Sequence, residues 1–146
     1  MPEVLFLCTG NYYRSRLAEA LFNDAAERRG LAWRAFSRGL ATHLAPPFGL
    51  SPVTTAELQR RGIPFSRTSA NPQQVVEADF QRAARVIAVK ETEHRPLMAK
   101  LHPAWEKRIT YWQVDDLDCA PPEVGIAGIE ANVNALLAEL TGIAPA

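Results

Sequence analysis

Cysteine is scarce in this 146-residue chain: Cys8 and Cys119 are the only two, so no more than one bridge could form and a disulfide-stapled fold is excluded. Histidine is nearly as rare, and His43, His94 and His102 are scattered without the spacing of a metal-ligand set. These three read as surface or packing residues. Net charge is absent as well: sixteen Lys and Arg balance sixteen Asp and Glu, so no basic excess asks for nucleic acid or an anionic membrane. Long apolar runs are missing too. The stretch from Val4 to Cys8 is far too short to span a bilayer or serve as a signal peptide, and no basic segment precedes it. The chain is therefore expected to be cytoplasmic, with no membrane and no nucleic acid among its partners. It also lacks repeats, low-complexity tracts and linkers, which predicts one domain, 1–146, large enough to bury a core of its own.

What is present alternates. The run Val4–Leu7 has the length and composition of a buried strand, and "RSRLAEALFNDAAERRG" then sets Leu17, Leu21 and Ala25 on one helical face, with Gly30 as a stop. "WRAFSRG" fits a second strand. A proline-rich loop, "HLAPPFGLSP", leads to a helix from about Pro52 to Arg61, closed by Gly62. "ARVIAV" reads as a third strand, preceded by a polar stretch and followed by a short helix around Glu93 to Leu101; "RITYWQV" reads as the fourth. A last helix carries Ile126, Ile129, Val133, Leu136, Leu137 and Leu140 as a stripe. Trp33, Trp105 and Trp112 are expected to pack in or around the core. Strands alternating with helices predict an α/β three-layer sandwich, a four-stranded parallel sheet flanked by helices. Function then belongs at the carboxyl ends of the strands.

Cys8 falls at that edge, followed by "TGNYY", Arg14 and Ser15: Cys-x5-Arg-Ser between a strand and a helix N-terminus. Five residues wrapped there can turn the N–H groups of Thr9, Gly10, Asn11, Tyr12 and Tyr13 inward, beside the positive end of the helix. Such a nest holds a tetrahedral oxyanion, making this a phosphate-binding loop. The same field favours a thiolate, the nucleophilic form of cysteine. Arg14 offers a bidentate fork for two phosphoryl oxygens, and the Ser15 hydroxyl can donate to the sulfur. Gly10 is expected where the backbone turns sharply, and Asn11 where a side chain can hydrogen-bond locally.

The segment "VLFLCTGNYYRSRLAEALF" resembles the active-site segment of the low-molecular-weight protein tyrosine phosphatases, whose signature is an N-terminal Cys-x-Gly-Asn-x-x-Arg-Ser after the first strand. The likeness extends more loosely along the chain, "FSRGL" standing at the second strand, "RVIAV" at the third and "VDDLD" at the acid loop. Other Cys-x5-Arg phosphatases and rhodanese-type sulfurtransferases carry the motif late in the chain; here the cysteine is residue 8. The resemblance implies a phosphomonoester hydrolase without metal or other cofactor, acting on a phosphorylated protein or a small phosphomonoester. Cys8 would form a phosphocysteine, Arg14 would bind the phosphoryl oxygens, Asn11 would hold the loop in shape and Ser15 would assist the thiolate.

Cleavage of a phosphomonoester also needs a proton for the leaving oxygen. "WQVDDLDCAPPE" supplies Asp115, Asp116 and Asp118 past the fourth strand. Asp116 matches the family acid, with Asp118 in reserve. Three departures bear on function. Tyr13 replaces a second loop cysteine that could protect the nucleophile. Arg16 replaces a proline and is expected to add charge near the pocket. Leu117, Asp118 and Cys119 replace the proline and aromatic pair of the acid loop. Tyr12, Tyr13 and the 43–48 loop are then the candidates for a substitute wall around the substrate. Two alternative functions share this loop: a binding module for phosphate or a similar oxyanion that does not turn over, and an arsenate reductase-like enzyme in which Cys119 would resolve an oxidised Cys8.

Overall fold

Val4, Leu5, Phe6 and Leu7 are all fully buried, and this is why an unbroken apolar run rather than an alternating one marks the first strand. Strand β1 (Glu3–Cys8) lies between β2 (Arg34–Gly39) and β3 (Arg85–Ala88), with β4 (Thr110–Tyr111) beyond β3, all parallel. Side chains leave β1 alternately to its two faces. Val4 and Phe6 join the core formed with α1 (Arg14–Arg28) and α5 (Pro122–Thr141); Leu5 and Leu7 join Phe80 and Met98 of α3 (Glu77–Arg82) and α4 (Glu91–Leu101) on the other. Helix α2 (Pro52–Arg61) lies beside α1. The expected three-layer α/β sandwich is the fold found. The computed structural model describes residues 1–142; the last four residues of the expected 1–146 domain lie outside them.

Local signals explain most boundaries. Ser51 caps α2 by accepting from the Val53 N–H at 3.2 Å, Pro52 starts the helix, and Gly62 ends it in the left-handed region at φ 69°. Three elements differ from the sequence expectation. The polar stretch before β3 forms the short helix α3, anchored by Phe80, whose ring stacks on Trp105 at 5.3 Å. Helix α4 begins two residues earlier than its apolar pattern suggests, at Glu91. The fourth strand shrinks to two residues because the chain past Tyr111 turns away from regular pairing. The Trp112 and Val114 N–H groups still reach the carbonyls of Ala88 and Val89, each at 2.8 Å. Trp112 packs on Phe6 as a core residue should, with ring centroids 5.5 Å apart.

Sheet order β2-β1-β3-β4 sends the chain one way from β1 and the other way afterwards, so the crevice between β1 and β3 is a topological switch point. Both the loop after β1 and the first turn of α4 open into it. Among the described residues, no helix is long and apolar enough to cross a membrane.

Candidate active site

Cys8 ends β1 with 3% of its surface exposed, and the loop that follows folds back over its sulfur. The Asn11 N–H donates to Cys8 Sγ at 3.2 Å, and Ser15 Oγ lies 2.9 Å from the same atom. The sharp turn expected of Gly10 belongs to its neighbour: Asn11 has φ 53°, the left-handed region that asparagine tolerates better than most residues. Gly10 serves close approach instead. A Cβ there would stand 2.4 Å from the Cβ of Ala45, so a side chain would push apart the loop and the 43–48 segment.

A buried chain of hydrogen bonds holds this loop. Asn11 Nδ2 donates to Ser15 Oγ at 2.9 Å and to Ser37 Oγ at 3.0 Å, and Asn11 Oδ1 accepts from the Gln73 N–H at 2.8 Å. With its acceptor role filled by Asn11, Ser15 has its own proton to give to the sulfur. Ser37 and Thr68 each donate to Glu19 Oε1 at 2.7 Å. Burial raises the pKa of Glu19, while those two hydroxyls and the nearby Arg16 pull it back. Arg16 brings charge near the pocket, as expected, but from beneath the loop and not from the cleft. It is fully buried, donating to Thr68 Oγ1 at 2.6 Å and to the carbonyls of Asn11 at 3.3 Å, Gly49 at 3.2 Å and Ser69. Its charge stitches three loops together from beneath.

Arg14 opens α1 and reaches across the crevice to residues the sequence reading left out. Its Nη1 and Nη2 donate to the two carboxylate oxygens of Glu93 at 3.1 and 2.7 Å, and Nη1 also donates to the Val114 carbonyl at 3.1 Å. Glu93 accepts from the Thr9 hydroxyl too. His94, expected at the surface or in packing, is fully buried and belongs to the same cluster. Its Nδ1 accepts from the Lys90 N–H at 3.0 Å, so the proton sits on Nε2, which lies 3.1 Å from both Thr9 Oγ1 and Glu93 Oε2. Neither residue has motif spacing. The available signal was topological: an acid–histidine pair in the first helical turn after the strand that flanks the switch point.

Burial lowers the pKa of His94 despite the nearby Glu93 carboxylate. Burial alone would raise Glu93, but donors from His94, Arg14 and Thr9 outweigh it and hold the carboxyl well below its usual range. Both shifts leave the folded protein binding fewer protons than the unfolded chain on acidification. Stability from His94 is present above its unfolded value near 6.5 and is lost as pH falls below it; that from Glu93 is lost below about 4.5. Urea unfolding should therefore show His94→Gln with a shallower stability loss than wild type between pH 7 and 5. A parallel pair of curves would contradict this.

The acid loop completes the crevice. Asp116 Oδ2 lies 3.4 Å from Arg14 Nη2, and Asp116 and Leu117 line a cleft of about 390 Å³ together with Cys8, Arg14, Tyr12 and Leu44. Asp115 is turned aside to Lys90 Nζ at 2.8 Å, and Asp118 is not among the residues lining the cleft. Of the expected site residues, Cys8, Thr9, Gly10, Tyr12, Tyr13, Arg14 and Asp116 all face this cleft, and Asn11 and Ser15 support it from behind. Tyr13 is mostly buried, its hydroxyl without a hydrogen-bond partner among the described residues and 2.5 Å from where a Cβ on Gly125 would stand. It wedges the loop against α5 more than it walls the substrate. Cys119 is an exposed free thiol, 3.7 Å from Lys90 Nζ, and does not line the cleft.

Residues 3–116 match the low molecular weight phosphotyrosine protein phosphatase family, and the chain belongs to it. The class is that of the cysteine-dependent phosphatases. The chain is 30% identical over 77% of its length to an arsenate reductase of Brevibacillus brevis, covering 75% of that protein. It is 38% identical over 61% of its length to the low molecular weight protein-tyrosine-phosphatase YfkJ of Bacillus subtilis, and 30% identical over 66% to a protein-arginine-phosphatase of the same organism. These two alignments span 56% and 61% of the relatives' own lengths. The crystal structure of YfkJ superposes with a TM-score of 0.83 at 26% identity, covering 97% of this chain and 96% of that one.

Proposed function

We propose that the chain hydrolyses phosphomonoesters through a phosphocysteine on Cys8. The observation that carries this reading is the convergence of Cys8, Arg14 and Asp116 on one cleft, with Ser15 and the Asn11 N–H aimed at the sulfur. The phosphoryl group sits against the loop N–H groups from Thr9 to Ser15 and against Arg14, whose charge offsets that of the phosphoryl oxygens. Cys8 Sγ attacks phosphorus in line; the S–P bond forms as the bond to the leaving oxygen breaks, and the protonated Asp116 gives that oxygen its proton. Asp116, now a carboxylate, takes a proton from water. The water oxygen attacks phosphorus, the S–P bond breaks, and the thiolate returns with Ser15 donating to it. None of these steps calls for a cofactor.

Tyr12, Leu44, Pro46 and Leu117 give the cleft apolar walls, which suit an aromatic ester such as phosphotyrosine over a small alkyl phosphate. The test is hydrolysis of para-nitrophenyl phosphate and of glycerol phosphate across pH 4 to 8 with EDTA present. Turnover of the aryl ester with a higher kcat/KM than the alkyl ester is expected. Absence of turnover, together with arsenate-dependent oxidation of a thiol donor, would replace this reading with oxyanion reduction, the activity named for the Brevibacillus relative. Absence of both, with phosphate still protecting Cys8 from alkylation, would leave a binding module.

A further inference from the structure

Arg14 carries five N–H donors in one plane, and the structure shows where three of them go. Glu93 takes one from each terminal nitrogen, and the Val114 carbonyl takes the second from Nη1. The end of the guanidinium is thereby filled. What remains without a hydrogen bond among the described residues is its side edge, the Nε–H and the second N–H of Nη2, two parallel donors with the spacing of two phosphoryl oxygens, with Asp116 Oδ2 standing 3.4 Å from Nη2 as an ion pair. We propose that Glu93, itself fixed by Thr9 and His94, is a positioning residue that clamps the end of Arg14 and so presents that side edge to the phosphoryl group. The proposal rests on the reading of Arg14 as a phosphoryl ligand.

A carboxylate on the phosphate-binding arginine could instead be a competitor that substrate must displace. The surroundings of Glu93 argue for a clamp. Its Oε2 accepts from Arg14, is bonded by the Thr9 hydroxyl, and lies 3.1 Å from the Nε2 of His94. His94 in turn is buried without freedom to turn, its Nδ1 fixed by the Lys90 N–H at the start of α4. A group meant to leave would not be held from two elements other than the arginine. The clamp also ties together the two sides of the switch point, the loop after β1 at Thr9 and the first turn of α4 at His94, so the loop that carries the nucleophile and the helix that carries Glu93 move as one. An arginine without such a partner spreads over many rotamers, and a misplaced donor loses more in the transition state than in the ground state.

The experiment compares wild type with Glu93→Gln, His94→Ala, their double variant, and Arg14→Lys. It reads kcat and KM for para-nitrophenyl phosphate, and the concentration at which inorganic phosphate protects Cys8 from alkylation. Glu93→Gln keeps the shape of the side chain but presents its end-on oxygen pair no longer. Its kcat should fall by about 10- to 100-fold while phosphate protection weakens by only a few-fold. His94→Ala should lower kcat less, and adding it to Glu93→Gln should change nothing further, because it acts through the group already removed. Should Glu93→Gln fold poorly, Glu93→Asp asks the same question: it retains the charge, loses reach, and is expected to lower kcat about tenfold or less. Tighter phosphate binding with kcat kept or raised in Glu93→Gln would make Glu93 a competitor and overturn the clamp. Unchanged kcat and KM would overturn it as well. Arg14→Lys separates the two levels. If it too leaves kcat and phosphate protection unchanged, the phosphoryl-binding reading of Arg14 fails; if it is impaired while Glu93→Gln is not, only the clamp fails.

Discussion

Cys8→Ser should lower turnover of para-nitrophenyl phosphate by at least about 10⁴-fold while phosphate still binds within a few-fold of wild type. The loop is built to stabilise an anion at Sγ: one backbone N–H and one hydroxyl meet the sulfur. A thiol can supply that anion near neutral pH, whereas a serine hydroxyl cannot without a base to take its proton. Among the described hydrogen bonds no carboxylate or imidazole reaches Sγ, so a serine at position 8 has no such base. The frame of the phosphate site is kept, because Arg14 keeps Glu93 and the Asn11 side chain keeps Ser15 and Ser37. Isothermal titration with phosphate, beside the rate assay, measures both halves. A variant with residual activity within tenfold of wild type would mean that another group forms the bond to phosphorus.

Asp116→Asn should slow hydrolysis of an alkyl phosphate by about 10²- to 10³-fold while slowing an aryl ester with an acidic phenol far less. The difference arises because a poor leaving group needs the proton during bond cleavage and a good one does not. Asp116 is the aspartate of its loop that stands at the cleft, 3.4 Å from Arg14 Nη2; Asp115 is committed to Lys90. Asp118→Asn serves as the comparison, with an expected effect on kcat below about threefold. A plot of log kcat against leaving-group pKa should steepen for Asp116→Asn alone. If it steepens for Asp118→Asn instead, the acid loop moves before chemistry and Asp118 is the donor.

Much of this architecture was legible before any coordinates, and the reasons are local. An apolar run as short as Val4–Leu7 must be a strand buried on both faces, and the stripes of α1 and α5 name the side chains that cover one of them. Cys8, Asn11, Arg14 and Ser15 were legible because the loop compresses its whole chemistry into eight consecutive residues. Glu93 and His94 were not, because their partners lie about eighty positions away and come together only through the crossover from β1 to β3. The side from which Arg16 brings its charge was not legible either. Arg14, two residues earlier, lines the cleft, but two steps along a helix rotate a side chain by roughly 200°, which carries Arg16 underneath to Thr68 and Gly49. Asn11 makes the local hydrogen bonds expected of it and also takes the turn expected of Gly10, because a positive φ and a close approach leave the same mark in a sequence, a small or turn-forming residue, and only packing against Ala45 separates them.

The most direct test of the account is acid quench of wild-type enzyme within milliseconds of mixing with excess para-nitrophenyl phosphate, followed by peptide mass spectrometry that locates bound phosphate. The account predicts a phosphorylated Cys8 that accumulates during turnover, decays when substrate is exhausted, and persists longer in Asp116→Asn, where activation of the water is impaired. Steady turnover with no phosphate on Cys8, or with phosphate on another residue, would contradict it.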